Sequence, residues 1–218
     1  KYKFSDRLCA GTIANFSTNR LKSDLSDMTI ENDVTFNSYN RSPLRPNDAL
    51  TLTVFTDWQL DDKGKMLSLT YNFFNHNSKS FSEVTTVCPG NESRLTNEGN
   101  NKYRIHSAKL DAILPFNSFK LETGLAFTGI GNNTRLSVSQ FDGGLWANDP
   151  LQSNRFNYDE NTAAAYVSME RNFTDAFFGK LGLRYEHTDV KGHQDMGNER
   201  HNNSYGYLFP SLNLSYNS

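Results

Sequence analysis

The sequence predicts an all-β fold, an antiparallel up-and-down meander of about eight to ten long strands. Three observations carry that prediction. Polar and apolar residues alternate over long runs: in Lys180 to His187, the residues Leu181, Leu183, Tyr185 and His187 are apolar or aromatic, with Gly182, Arg184 and Glu186 between them. Asparagine makes up 26 of 218 residues, and Ser, Thr, Tyr and Phe are abundant, a composition that suits strands and turns better than helices. Short turns also alternate with long polar segments along the chain.

The elements follow in order. Two weakly alternating strands are expected around Leu8 to Asn19 and Asp27 to Tyr39, then a loop holding Pro43 and Pro46. The next strand puts Leu50, Leu52, Val54, Thr56, Trp58 and Leu60 on one face and Thr51, Thr53, Phe55, Asp57 and Gln59 on the other. The turn Asp61-Asp62-Lys63-Gly64 returns it into Leu67, Leu69, Tyr71 and Phe73, a strong hairpin signal. A second hairpin joins Tyr103 to Leu114 with Phe119 to Ile130 through Pro115-Phe116-Asn117-Ser118. A third joins Phe156 to Arg171 with Phe177 to Val190 through a turn at 172–175, and a last strand runs from Tyr205 to Tyr216. Between hairpins, the segments 75–101, 131–155 and 191–204 are polar, show little alternation and read as large loops.

That asymmetry bears on the class. Long strands whose connections alternate between short turns and long polar loops are a feature of outer-membrane β-barrels. A soluble sandwich has no reason to alternate loop lengths so regularly. In a barrel the apolar face meets lipid and the charged face lines the lumen; in a soluble sheet the apolar face turns inward. The chain is read as one barrel-wall domain over 1–218, with 1–48 weakly assigned. No window approaches the length of a transmembrane helix, which leaves a barrel open. The balance of 22 Lys and Arg against 24 Asp and Glu, with no basic run, gives no argument for nucleic acid as a partner. The beginning, Lys-Tyr-Lys-Phe-Ser-Asp, has no apolar stretch of a signal peptide behind it. Cys9 and Cys88 allow either one disulfide or two free thiols.

The candidate polar residues lie on the strand faces opposite the apolar ones. Lys109, Asp111, Glu122, Glu160, Arg184 and Glu186 are expected to form a lumenal ion-pair network, with Arg184 bridging neighbouring strands. The sharper alternative takes Glu160 and Glu186 as the acid and base of a glycosidase. The histidines 76, 106, 187, 193 and 201 show no ligand spacing, and no P-loop, dinucleotide fingerprint or nucleophile elbow is present, so no enzyme activity, metal or cofactor is expected. Asn-X-Ser/Thr triplets at Asn15, Asn91, Asn132, Asn172 and Asn213 follow from composition alone. Phe141 and Trp146 stand in a polar segment and are candidate contacts for an extracellular ligand. The same aromatics, with Phe156 and Tyr158, support a second reading: a soluble β-sheet module that stacks them on carbohydrate.

Five segments carry a resemblance. The hairpin from Leu50 to Phe74, the run Ser107-Ala-Lys-Leu-Asp-Ala-Ile-Leu-Pro-Phe with Leu121-Glu-Thr-Gly-Leu, and Tyr158-Asp-Glu-Asn-Thr-Ala-Ala-Ala-Tyr-Val come first. Gly182-Leu-Arg-Tyr-Glu-His-Thr and Leu208-Phe-Pro-Ser-Leu-Asn-Leu-Ser-Tyr follow in the same order. Together they resemble the barrel of TonB-dependent outer-membrane receptors, in the group common in Bacteroidetes, over roughly residues 49–217. The resemblance implies a bacterial outer-membrane location and import of an extracellular nutrient without chemistry on it. Its implied partners are membrane lipid, a plug domain and the TonB system. The chain shows no TonB box and no plug, has too few strands for a whole receptor, and ends at Tyr216-Asn217-Ser218 without a terminal aromatic. The resemblance therefore implies an internal piece of a larger receptor. A run of barrel strands on its own exposes two edges and a lipid face, which curling, sandwiching or pairing would have to cover.

Overall fold

The computed structural model of the chain describes residues 2–216; the last two residues of the Tyr216-Asn217-Ser218 terminus lie outside them. Ten strands form one antiparallel sheet: β1 (Tyr2–Lys3), β2 (Leu8–Glu31), β3 (Val34–Gln59), β4 (Met66–Cys88), β5 (Asn91–Pro115), β6 (Lys120–Asp142), β7 (Leu145–Asn148), β8 (Asn154–Asn172), β9 (Phe177–Gln194) and β10 (Glu199–Tyr216). Each strand pairs with its sequence neighbour, except that β8 passes over the short β7 to pair with β6, which also carries β7. Sequential hairpins pair locally because the shortest connection closes at the least entropic cost. Among the described residues β10 leaves one edge of the sheet open, and β2 leaves the other open beyond Cys9 and Ala10, which β1 covers.

The strands are far longer than a periodicity reading allows. β4 and β5 hold 23 and 25 residues, more than twice the roughly ten that a tilted strand needs to cross a bilayer. The segments 75–101, 131–155 and 191–204 are therefore largely strand, which corrects their reading as loops. Pro89-Gly90 is the tip of a continuous β4–β5 hairpin, with Cys88 paired to Asn91 and Gly90 at φ +80°, where glycine follows proline as a type II turn requires. Segment 131–155 contains the rest of β6, a Gly143-Gly144 turn at φ +57° and +90°, and β7. Segment 191–204 contains the ends of β9 and β10 around one short 3-10 turn, Met196–Asn198. These outer halves do not alternate in polarity because both of their faces are wet.

The first hairpin is also placed differently from the sequence reading. Asp27 to Tyr39 is not one strand but the tip between β2 and β3, turning at Asn32 and Asp33 with φ of 50° and 61°. A two-residue hairpin turn needs positive φ at both positions, which Asn and Asp tolerate. Pro43 and Pro46 lie inside β3, where pairing with β4 breaks between Arg41 and Asn47. Proline has no amide hydrogen for a ladder, so the break falls there.

The opposite end of the sheet turns tightly, close to the expected positions 61–64, 115–118 and 172–175. In the β3–β4 turn the Asp61 carboxylate accepts the Lys63 and Lys65 amides, each at 3.0 Å. The bond from Lys65 leads in holding this carboxyl below its ordinary range. Phe116 and Phe119 stack at 4.7 Å in the next turn, and Phe173 meets Phe177 at 5.4 Å in the one after.

Register divides the residues into two faces. One row reads Trp58, Leu67, Ala112, Thr123, Val167, Leu183, Pro210 across seven strands. The next row on that face reads Leu69, Leu110, Leu125, Ala165, Tyr185, Leu208. The row lying between them on the opposite face reads Ser68, Asp111, Gly124, Tyr166, Arg184, Phe209. Leu125 is 57% and Leu183 46% exposed, whereas Ala164 and Thr188 on the polar face are 7% and 6% exposed. Side chains crowd on the concave side of a curved sheet and splay on the convex side, so the apolar face is the outside.

The strand assignment for 75–101 makes a direct prediction. Amides of Asn77, Ser78 and Glu83 to Thr86, which have partners on both sides, and from Arg94 to Asn101 should exchange slowly with solvent deuterium, as ladder amides do. Exchange at free-peptide rates throughout both segments would restore the loop reading.

Candidate functional site

The inner, polar face has two zones. The lower zone, next to the tight turns, is a belt of paired charges. Lys120 Nζ lies 2.9 Å from Glu122 and 2.7 Å from Glu170, and Lys180 Nζ lies 2.6 Å from Glu122 and 3.3 Å from Glu170. This closed ring of alternating charge joins β6, β8 and β9. Lys109 Nζ meets Asp111 at 3.0 Å, and Arg184 Nε donates to Glu186. Tyr166 joins these pairs: its hydroxyl donates to Asp111, while Lys109 and Arg184 sit 5.6 and 5.5 Å from its ring centre. The Tyr166 side chain reaches Asp111 by crossing β6 at Gly124, where a Cβ would lie 2.5 Å from the Leu110 carbonyl oxygen as well as against the Tyr166 ring.

Above this belt runs a ladder of small polar side chains. Thr53 donates to Asn72 at 2.8 Å, Thr128 to Ser107 at 3.4 Å, and Thr162 meets Thr188 at 3.0 Å. Higher still is a cavity of about 480 Å³ lined by Phe156, Tyr158, Val190, Gly192, Glu199 and His201. Phe156 and Tyr158 stack there at 6.4 Å. Apolar rings beside hydroxyl, carboxylate and imidazole groups are what a small-ligand site combines.

The structure brings together five of the six expected ion-pair residues in or beside the belt: Lys109, Asp111, Glu122, Arg184 and Glu186. Glu160 stands apart in a higher row and accepts the Tyr158 hydroxyl. Arg184 pairs along its own strand, and Tyr166 makes the cross-strand link that had been expected of Arg184. Sequence reasoning missed Lys120, Tyr166, Glu170 and Lys180, although Lys180 shares the parity of Arg184 and Glu186 on β9. Glu160 and Glu186 lie two rows apart on one face, about 13 Å at the ordinary strand rise. That exceeds the separation of a glycosidase pair, so these two carboxylates are not an acid–base couple.

Phe141 and Trp146 pair with each other at 5.3 Å across β6 and β7, and Arg94 sits over both rings at 5.1 and 5.6 Å while holding Glu83 at 2.5 Å. By register they share the face of the leucines and point away from the inner cavity. Cys9 and Cys88 are free thiols at opposite ends of the sheet, Cys9 beside Asp57 and Cys88 at the β4–β5 tip. His106 bonds Tyr71 at 2.8 Å, and His187 and His193 face Asp189 and Asp195. Among the described residues no group of three or more metal-ligating side chains comes together.

Residues 58–218 match the outer membrane protein beta-barrel family. A match over most of the chain shows the family: this chain belongs to it, is part of an outer-membrane-type barrel, and is located in the bacterial outer membrane. No curated protein sequence matches the chain. Among solved structures, the ferric citrate transporter FecA in its unliganded form is similar in fold, with TM-score 0.55 and 13% identity over 94% of this chain and 34% of FecA. The copper transporter OprC gives 0.40 and 12% over 94% and 41%, and the ferric yersiniabactin uptake receptor FyuA from Yersinia pestis gives 0.30 and 13% over 96% and 44%. The chain thus spans about a third of FecA's length. Family membership also decides against the soluble carbohydrate module, because the apolar face that such a module would bury is the exposed outer face.

The Tyr166 crossing makes a prediction for stability. Gly124→Ala should destabilise the folded sheet by about 1–3 kcal/mol through overpacking, read as a lower denaturant midpoint in detergent. An unchanged midpoint would show that Tyr166 does not need the glycine.

Proposed function

We propose that this chain is wall from the barrel of a TonB-dependent outer-membrane receptor that imports a nutrient without altering it chemically. The observation that supports this best is the height of the sheet. Strands continue well past the apolar band at one end only, and the inner cavity around Phe156, Tyr158 and His201 lies in that taller part. Outer-membrane barrels put short turns on the periplasmic side and long connections outside, so the tall end faces the medium. There, the rings and hydrogen-bonding groups of the cavity meet an incoming ligand.

The lower belt has a different task in this reading. Paired charges and hydroxyls keep the lumenal wall wet, and cross-strand pairs fix its shape. In the full-length parent this wall would surround a plug domain and answer to the TonB system. Phe141 and Trp146 brace the outer surface of the wall at its tip instead of contacting the nutrient.

Cells whose growth on a nutrient requires the full-length parent provide the test. Replacing Phe156, Tyr158 and His201, which line the inner cavity, together by alanine should leave a folded barrel in the membrane. Uptake should fall about tenfold or more, the size expected when binding anchors are lost. A folded barrel with uptake at the wild-type level would contradict the reading.

A further inference from the structure

The inner charges next to the tight turns are paired; a set of outer-face charges is not, although higher on that face Arg94 holds Glu83. Lys109, Lys120, Lys180 and Arg184 on the inner face each contact a carboxylate. On the outer face, three consecutive rows behave differently; they are separated from the apolar band by the row Phe73, His106, Gly129, Asn161, Asp189, Ser204. The first row reads Asn75, Arg104, Gly131, Asp159, Lys191, Asn202, and the second Asn77, Lys102, Asn133, Asn157, His193, Arg200. The third reads Lys79, Asn100, Arg135, Arg155. All seven Lys and Arg residues in these rows are exposed. Among the described residues none of the seven lies at ion-pair distance from a carboxylate, whereas the weaker base His193 of the second row faces Asp195 at 3.2 Å. The acids in or beside these rows are fewer: Asp48, Glu98, Asp159, Asp189 and Asp195, with Asp189 turned to His187 at 3.4 Å and Asp195 to His193.

Two of these cations, Lys102 and Arg104, line a hollow, and the others stand in the same or neighbouring rows. A cavity of about 660 Å³ opens on this face between Asn77, Lys102, Arg104, Asn133, Asn157 and Asp159. Its floor is Gly129 and Gly131, where the missing side chains leave the space; a Cβ on Gly131 would have Asp159 Oδ1 as its one neighbour, at 3.5 Å. Two rows below Arg104 and Lys191, Tyr71, Phe127 and His187 form the aromatic upper edge of the apolar band, the level at which such rings meet lipid headgroups.

We infer that this hollow holds the phosphorylated, hydroxyl-rich headgroup of an outer-leaflet lipid whose acyl chains lie on the leucine rows beneath. Unpaired lysine and arginine supply charge for phosphate. The asparagine amides offer donors and acceptors to sugar hydroxyls, and the apolar rows begin on the same face two rows beneath Arg104 and Lys191. A free anion would use the cations but gain nothing from the apolar rows, and for this reason the lipid is the assigned occupant. The inference rests on the membrane location and on the orientation given above, and is independent of nutrient import.

The test uses the full-length protein extracted from its own outer membrane in mild detergent, with retained lipid identified by mass spectrometry and counted as phosphorus per protein. The wild type should retain a phosphorylated lipid of the outer leaflet. K102Q/R104Q/R135Q/K191Q should lose most of it, at about fivefold per cation removed, while keeping the heat-modifiable gel mobility of a folded barrel. If that variant does not fold, the single change K102Q at an exposed position should still lower retention about fivefold. R20Q/K22Q/R41Q/R45Q removes the same charge from β2 and β3 and should retain lipid as the wild type does. Four results would overturn the inference: equal retention by the quadruple variant, equal loss in the β2–β3 control, retention of inner-leaflet phospholipid in place of outer-leaflet lipid, or displacement of the lipid by millimolar inorganic phosphate. The inner-leaflet result would also reverse the orientation, yet would leave nutrient import to its own uptake test.

Discussion

The rest of this structure depends on backbone hydrogen bonding between neighbouring strands. In hydrocarbon an unpaired amide or carbonyl costs several kcal/mol, so a membrane wall must pair its backbone groups across strands. Once the ladder is formed, side chains have only two directions, and a period of two assigns each residue to lipid or to water. The rows through Leu183 and Leu125 and the row through Arg184 and Tyr166 are adjacent on paired strands yet chemically opposite. A slip of one residue between β8 and β9 would put Arg184 in lipid and Leu183 in the lumen, so the side chains specify the register as firmly as the turns do.

Within that frame the inner face is stabilised by mutual neutralisation. Each of the lower lysines touches a carboxylate on its own or a neighbouring strand, and Tyr166 links two ion pairs through one ring and one hydroxyl. These pairs are partly exposed, so each contributes modestly to stability. Their arrangement across β5, β6, β8 and β9 matters more, because it ties four strands into one lumenal surface. Gly124 belongs to the same device, since Tyr166 reaches Asp111 over the one residue in its row that has no side chain. The outer face needs no such pairing where lipid covers it. Where it rises above the apolar band, Arg94 is held by Glu83, whereas Lys102, Arg104, Arg135 and Lys191 touch no carboxylate among the described residues.

Much of the fold was legible because lipid imposes a pattern. From Leu50 to Phe74, Tyr103 to Ile130 and Phe156 to Val190, one face must be apolar, and alternation marks both strand and face. The tight turns were equally legible from Asp61-Asp62-Lys63-Gly64 and Pro115-Phe116-Asn117-Ser118. Beyond the bilayer the constraint disappears, and Ser78 to Asn101 reads as loop although it is a regular hairpin. The signals that do mark those regions are local turn chemistries: Pro89-Gly90, Gly143-Gly144 and Asn32-Asp33. Of the candidate site, parity alone put Asp111, Glu122, Arg184 and Glu186 on one face. It could not reveal that Tyr166 is their link or that Glu160 sits too high to join them, because both depend on inter-strand register. The outward direction of Phe141 and Trp146 was hidden for the same reason.

The most direct test of the central claim is a spin label placed at each position from 181 to 186 in the membrane-embedded protein, with its relaxation measured against a lipid-soluble and a water-soluble quencher. Labels at 181, 183 and 185 should respond to the lipid-soluble reagent, and labels at 182, 184 and 186 to the water-soluble one. If labels at 181, 183 and 185 are shielded from both, that face is a packed protein core, and the account of this chain as barrel wall is wrong.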